Sequence, residues 1–115
     1  MAKYLILIYE NEGGYADAGP QVWQQAMEAH GRFAGQVAEH GVKMLGGEAL
    51  QPVATATSIR GDVVTDGPFA ETKEFLAGFM LIEARDLNEA IELAGKAPMA
   101  RFTIEVRPFL DLSHS

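Results

Sequence analysis

The sequence predicts an α+β fold in which two helices cover one face of a four-stranded antiparallel sheet. Three observations support this prediction. Strand-like and helical stretches follow the order βαβ, hairpin, βαβ along the 115 residues. The first and third main strands are apolar on both faces, as central strands are, whereas the last strand alternates apolar and polar residues, as an edge strand does. This is the split βαβ arrangement with one additional hairpin.

The chain begins with a strand and a long helix. Tyr4–Tyr9 is an apolar run typical of a strand that is buried on both faces. After the turn-rich residues 11–19, Pro20 suits the first turn of a helix, where its missing N–H costs nothing. Gly41 predicts the end of that helix. Apolar side chains recur at helical spacing along it, namely Trp23, Met27, Phe33, Ala34 and Val37.

The middle of the chain predicts a bent strand and a hairpin. Val42–Leu50 reads as the second strand, and the pair Gly46-Gly47 predicts a bulge within it. No strand-to-helix transition surrounds this pair, so it does not have the context of a phosphate-binding loop. Thr55–Arg60 and Val63–Thr65 predict a hairpin that turns at Gly61-Asp62.

The second βαβ unit closes the domain. Phe75–Arg85 predicts the third main strand. Asp86 and Glu89, three residues apart, form a capping pair for a helix over residues 87–96. Residues 102–107 alternate between apolar and polar, which predicts a strand with one solvated face.

The third main strand raises the question of what covers its second face. Two helices can cover only one face of a four-stranded sheet. A second copy of the sheet would cover the second face and make a two-fold homodimer; alternatively, the hairpin folds across that face. The prevalence of two-fold dimers favours the homodimer. One face carries Phe75, Ala77, Phe79 and Leu81, and the other carries Leu76, Met80 and Ile82.

Composition excludes several classes of function. The net charge of −7 disfavours nucleic acid and anionic membranes as partners, and the absence of cysteine excludes disulfides and thiolate sites. The three histidines show no metal-ligand spacing, so no metal or cofactor is expected, although a site shared by His30 and a carboxylate stays open. The longest apolar stretch, Phe75–Ile82, is too short to span a membrane. We expect a single cytoplasmic domain over residues 1–115.

Two residues are candidates for acid/base chemistry. His30 lies on the apolar stripe of the first helix, where it is either a packed core residue or a general acid/base facing a cavity. Asp66 can close a turn on its own backbone, or it can orient a histidine or hold a proton. The rigid Gly67-Pro68 step would fix its carboxylate in either role. His40 is expected only to interact with the helix dipole.

The residues after this turn have a structural and a binding interpretation. Phe69 either lines a pocket or anchors the loop in the core, and position alone favours anchoring. Residues 71–74 most simply form a solvated segment with a local ion pair. Ligand contact by Glu71, Thr72 or Lys73 is the less favoured interpretation from composition alone.

Residues Asp66–Glu74, with the sequence DGPFAETKE, form a specific motif. The motif resembles the signature of the DGPF branch of the YCII-related family of small bacterial proteins. The resemblance covers nearly the whole chain. Other stretches similar to that family are Lys3–Tyr9, His30 with Phe33, Gly46–Pro52 and Leu87–Ala90.

The resemblance implies a fold and a site. The fold would be a ferredoxin-like βαββαβ plait with an extra β-hairpin, dimerising through the sheet as in the dimeric α/β-barrel superfamily. The site would be a pocket in which a helix histidine and a loop aspartate form an acid/base pair, and His30 and Asp66 stand at the matching positions. The substrate contacts expected around this pair are Phe33, Phe69, Glu71, Thr72 and Lys73.

The resemblance also implies two kinds of function. A relative eliminates chloride from a chlorinated hydroquinone, and the superfamily includes isomerases and monooxygenases of small cyclic compounds. The first hypothesis is therefore a cofactor-free enzyme that isomerises a small substrate or eliminates a group from it. The alternative is a non-catalytic metabolite-binding or regulatory dimer, because DGPF proteins are encoded near, or fused to, extracytoplasmic-function sigma factors. The 115 residues leave no room for such a domain, so that partner would be a separate protein.

Overall fold

The computed structural model describes residues 2–11, 19–70, 73–97 and 103–110. The order of elements within them is the predicted one. A short 3-10 turn at Val53–Thr55 precedes the hairpin. The elements are β1 (Ala2–Asn11), α1 (Pro20–Glu39), β2 (Lys43–Ala49), β3 (Thr57–Arg60), β4 (Val63–Asp66), β5 (Glu74–Ala84), α2 (Leu87–Ala94) and β6 (Thr103–Pro108).

The main sheet has the strand order β2-β5-β1-β6, and every neighbouring pair is antiparallel. The strands β1 and β5 are therefore central, and β2 and β6 lie at the edges. This confirms the positions predicted from the apolar faces, and it is the order of a ferredoxin-like fold. Among the described strands, β3 and β4 form a separate two-stranded sheet.

The core lies between the sheet and the two helices. Ile6 of β1, Ile82 of β5 and Leu93 of α2 are almost completely buried at its centre. The helix α1 contributes Phe33 and Val37, which are one turn apart. The described part of α1 is therefore buried along a stripe narrower than predicted.

Met27 shows that the predicted stripe on α1 is too wide. Its side chain is 69% exposed, and Ala34 is exposed as well. On a helix with 3.6 residues per turn, both positions lie well to one side of the line through Phe33 and Val37. The stripe that covers the sheet is centred on that line, and the side chains beside it stay in solvent.

The face of the sheet opposite the helices is apolar and only half-buried. Leu5 pairs with Leu81, and Leu7 pairs with Phe79, so these side chains form adjacent cross-strand pairs on one face. All four are half-buried, whereas Ile82, on the helix face, is fully buried. The alternation predicted for β5 is confirmed at these positions.

The hairpin does not cover this open face. Ile59 and Val64 are cross-strand partners on one side of the hairpin, and Val63 lies on the other side. All three are more than half exposed. A hairpin packed on the sheet would bury one of its two sides, so the predicted alternative in which the hairpin folds across the sheet is not observed.

The edge strand β2 approaches β5 closely at two glycines. The pairing register shifts between Met44 and Gly46, so the bulge lies at Leu45, one residue before the predicted glycine pair. Gly47 pairs with Met80, and Gly78 pairs with Ala49. A Cβ atom on Gly47 would lie 2.9 Å from a backbone oxygen of β5, so the ladder at this point depends on glycine.

The helix α2 begins at the predicted capping pair. The Asp86 carboxylate accepts a hydrogen bond of 2.9 Å from the Glu89 N–H, and the Glu89 carboxylate accepts one of 2.8 Å from the Arg85 N–H. The backbone hydrogen bond from Glu89, helped by the Arg85 guanidinium, lowers the pKa of the Asp86 carboxyl below its ordinary value. The prediction of this cap is confirmed.

This cap should make stability depend on pH in the acid range. Because the folded-state pKa of Asp86 is lowered, the carboxylate stabilises the fold above the unfolded pKa, and this contribution is lost as pH falls through the folded pKa. Asp86→Ala should therefore melt below the wild type at neutral pH, and the gap should narrow on acidification. Circular dichroism melting curves across this range measure it. Asp86→Asn, which keeps an oxygen acceptor without titrating, is the control. If the difference in melting temperature between the wild type and Asp86→Ala does not change with pH, the prediction is wrong.

Candidate functional site

Asp66 is the last residue of β4 and is exposed to solvent. It pairs with Thr57 of β3, so the hairpin positions it more rigidly than a free loop would. The next residue, Gly67, has φ +93°, in the left-handed region that favours glycine. The glycine of the motif is therefore required by the turn that follows the carboxylate.

The turn after Asp66 is held by β3. The Gly67 N–H donates a hydrogen bond of 2.6 Å to the Ala56 carbonyl, which extends the hairpin ladder by one step. The Ser58 hydroxyl donates one of 2.7 Å to the Gly67 carbonyl. Both polar groups of the Gly67 backbone are thus bound, and the turn is closed by groups other than the aspartate side chain. The carboxylate remains exposed at the end of a fixed strand.

His30 is exposed on α1, which corrects the interpretation of it as a packed core residue. Phe33, three residues further on, is 3% exposed and belongs to the core. His30 lies one turn before Phe33 on the same side of α1, so the burial of this side of the helix ends between the two residues. The imidazole and the Asp66 carboxylate share neither a hydrogen bond nor an ion pair in the isolated chain. Their pairing stays a prediction.

The other predicted contacts lie in different surroundings. Phe69 is 85% exposed, so the prediction that it anchors the loop in the core is wrong. The turn at Gly67 is bound to Ala56 of the hairpin, and the aromatic ring that follows it lies in solvent. Lys73 is exposed as well, and Glu71 and Thr72 lie outside the described residues.

Glu74, the last residue of the motif, connects β5 to β6. Its carboxylate accepts a hydrogen bond of 2.7 Å from the Thr103 hydroxyl at the start of β6. Composition predicts a solvated segment with a local ion pair here; the structure adds a hydrogen bond to a distant strand, which composition does not indicate. The motif is therefore attached at both ends, to the hairpin through Gly67 and to the sheet through Glu74.

Two further features bear on the kind of site. Within the part of the chain that the structure describes, no cluster of three or more His, Asp or Glu side chains is arranged to hold a metal ion. Within the same residues, no helix has the length and apolarity needed to cross a membrane. His40 ends α1, and its Nε2 atom lies 3.0 Å from the Lys96 ammonium that follows α2. This contact connects the ends of the two helices and lies outside the motif.

Comparisons with known proteins agree with this architecture. Residues 2–113 match the family described as the YCII-related domain. A stretch of 66 residues is 42% identical to the uncharacterized protein R00369 of Rhizobium meliloti (strain 1021). That match covers 51% of this chain and 53% of the relative, so it spans about half the length of each.

One similar solved structure has a stated activity. It is 5-chloro-2-hydroxyhydroquinone dehydrochlorinase (TftG) from Burkholderia phenoliruptrix AC1100, in complex with 2,5-dihydroxybenzoquinone. The TM-score is 0.53, the sequence identity is 16%, and the likeness covers 98% of both chains. At this identity the likeness supports the fold, and the ferredoxin-like α+β prediction is confirmed.

Proposed function

This chain belongs to the YCII-related family, and we propose that it is a small-molecule enzyme in which His30 and Asp66 act as an acid/base pair. The observation that carries the proposal is the Asp66 carboxylate, which is exposed on a strand end whose following turn is bound on both backbone groups. A fixed carboxylate that is not used to close its own turn is free to orient an imidazole.

The two side chains have complementary roles in this proposal. His30 removes a proton from the substrate and returns one, because an imidazole can do both near neutral pH. Asp66 holds the ring in one tautomer and stabilises its charged form. The two are not bonded in the isolated chain, and catalytic hydrogen bonds often tighten only when substrate is bound. Substrate would therefore complete the pair.

The reaction class is proton transfer with elimination or isomerisation. The fold neighbour is named for removing HCl from a chlorinated hydroxyhydroquinone. For such a compound, one hydroxyl proton first moves to the chlorine-bearing ring carbon and gives a keto tautomer. A base then takes a second hydroxyl proton while chloride leaves with the C–Cl bonding electrons, and the ring becomes a hydroxyquinone. The elements of HCl leave together, so the step needs no oxidant. We propose that this chain acts without a cofactor, in the cytoplasm, as a member of the DGPF branch.

A substrate assay tests the proposal. The wild type is incubated with 5-chloro-2-hydroxyhydroquinone while chloride release is followed, and binding of 2,5-dihydroxybenzoquinone is titrated separately. We expect both signals in the wild type, and binding without turnover in Asp66→Asn. If Asp66→Asn and His30→Ala both turn over the substrate at the wild-type rate, the acid/base role proposed for the two residues is wrong. Binding without turnover in the wild type would favour the alternative, a metabolite-binding dimer linked to sigma-factor regulation.

We also propose that the open face of the sheet is the interface of a homodimer. Its centre is formed by the apolar pairs Leu5–Leu81 and Leu7–Phe79, which the described helices and hairpin leave half-buried. A second copy of the same face would cover these side chains, since a two-fold interface brings one patch against itself.

A charge in this patch should separate the dimer. Leu7→Glu would place a carboxylate at the centre of the interface, where it would lose solvation without gaining a partner. We expect a dimer for the wild type and a monomer for the variant in sedimentation velocity. Leu87→Glu, at an exposed position of α2, is the matched control and should remain dimeric. A wild-type monomer at every accessible concentration would exclude the interface.

A further inference from the structure

We propose that Ser58 is a positioning residue for Asp66, an inference that rests on the acid/base role proposed for that carboxylate. Ser58 lies on β3, eight residues before Asp66, and outside the DGPF motif. It is half-buried, whereas Thr57, Ile59 and Arg60 of the same strand are exposed. Its hydroxyl donates the 2.7 Å hydrogen bond to the Gly67 carbonyl.

The hairpin register shows how Ser58 could act on the carboxylate. Cross-strand partners point to the same face of an antiparallel ladder, so Asp66 shares a face with Thr57, and Ser58 shares the opposite face with Thr65. Ser58 therefore acts on Asp66 through the backbone. Ser58 donates to the carbonyl of Gly67, the residue directly after Asp66, which lies diagonally across the ladder from Ser58.

Gly67 explains why such a bond is needed. Glycine has access to more backbone conformations than any other residue, and here it adopts φ +93°. The Ala56 carbonyl fixes its N–H, but the peptide group on its other side could still rotate. The Ser58 hydroxyl fixes that second group. With both bonds in place, the chain leaves Asp66 in one direction, which limits the orientations open to the carboxylate.

A competing explanation is that Ser58 only stabilises the hairpin. Two-stranded hairpins are marginally stable alone, and this one has exposed apolar residues on both sides. The two explanations differ in one respect. A bond that only holds the hairpin would affect the fold equally whether or not residue 66 carries a carboxylate, whereas a positioning bond would matter only through that carboxylate.

The first arm of the test needs no ligand. In the full chain, NMR follows amide exchange of Gly67 and the carboxyl carbon signal of Asp66. Ser58→Ala should speed exchange of the Gly67 amide roughly fivefold, as expected for the loss of one net hydrogen bond, and should shift the Asp66 signal. Ser58→Thr, which keeps a hydroxyl, should restore both. Thr65→Val, which removes the hydroxyl of the cross-strand partner, should change neither.

The second arm uses 2,5-dihydroxybenzoquinone as the probe. Ser58→Ala should weaken its binding in the wild-type background and have no further effect in the Asp66→Asn background, because the coupling passes through the carboxylate. An equal loss in both backgrounds would show that Ser58 only holds the hairpin. Unchanged Gly67 exchange and Asp66 signals in Ser58→Ala would also overturn the inference. If the wild type does not bind the quinone, the proposed function loses its support, and the Asp66 signal decides the role of Ser58: faster Gly67 exchange with an unmoved Asp66 signal would show that Ser58 only holds the hairpin.

Discussion

Replacing His30 with alanine should lower turnover by about 10²–10⁴-fold, the contribution typical of a positioned general acid/base. The imidazole is exposed on α1 and lies outside the core formed by Phe33 and Val37, so its removal should not disturb packing. We therefore expect kcat to fall while the melting temperature stays close to that of the wild type. The measurement is chloride release from 5-chloro-2-hydroxyhydroquinone at saturating substrate.

The control for this variant is His40→Ala. His40 is also exposed and ends the same helix, but it contacts Lys96 and lies outside the motif. Its replacement should leave kcat unchanged. An equal loss in both variants would mean that the rate depends on the integrity of α1 and would remove the case for His30. Retained activity in His30→Ala would also show that His30 is not the general acid/base.

The order of the sheet could be predicted because burial on both faces leaves a clear mark on a strand. The runs that became β1 and β5 have apolar residues at consecutive positions, and an edge strand has no need of this pattern. The environment of His30 could not be predicted in the same way. Helical periodicity groups His30 with Phe33 and Val37, but it does not say where along the helix the burial against the sheet ends.

The bonds that hold the motif depend on strand register, which the sequence of either strand alone does not specify. Ser58 and Gly67 are nine residues apart, and Glu74 and Thr103 are 29 apart. Each pair becomes adjacent only when two strands align in one register. The turn at Gly61-Asp62 fixes the hairpin register, so the Ser58 contact could have been found by counting back from that turn. The Glu74 contact could not, because β6 joins the sheet through β1.

Gly47→Ala should lower the free energy of unfolding by about 1–3 kcal/mol, the usual cost of forcing extra atoms into a packed site. A Cβ at this position would lie 2.9 Å from the Phe79 carbonyl oxygen and 3.4 Å from the Met80 Cα. Both atoms belong to the backbone of the central strand β5, so they cannot move aside as the end of a side chain would. The strand β2 must then shift away from β5. Urea denaturation of the wild type and the variant measures the cost.

The neighbouring glycine of the pair supplies the matched control. Gly46 is adjacent in sequence, but a Cβ there would meet nothing within 4 Å, so Gly46→Ala should cost much less than Gly47→Ala. Gly78 lies on the other side of the same close approach, where a Cβ would be 3.0 Å from the Glu48 carbonyl oxygen. Once one alanine has separated β2 from β5, the second meets less resistance, so the double variant Gly47→Ala/Gly78→Ala should lose less than the sum of the two. Equal costs at Gly46 and Gly47 would instead indicate that the loss comes from glycine's backbone freedom and not from the contact between the strands.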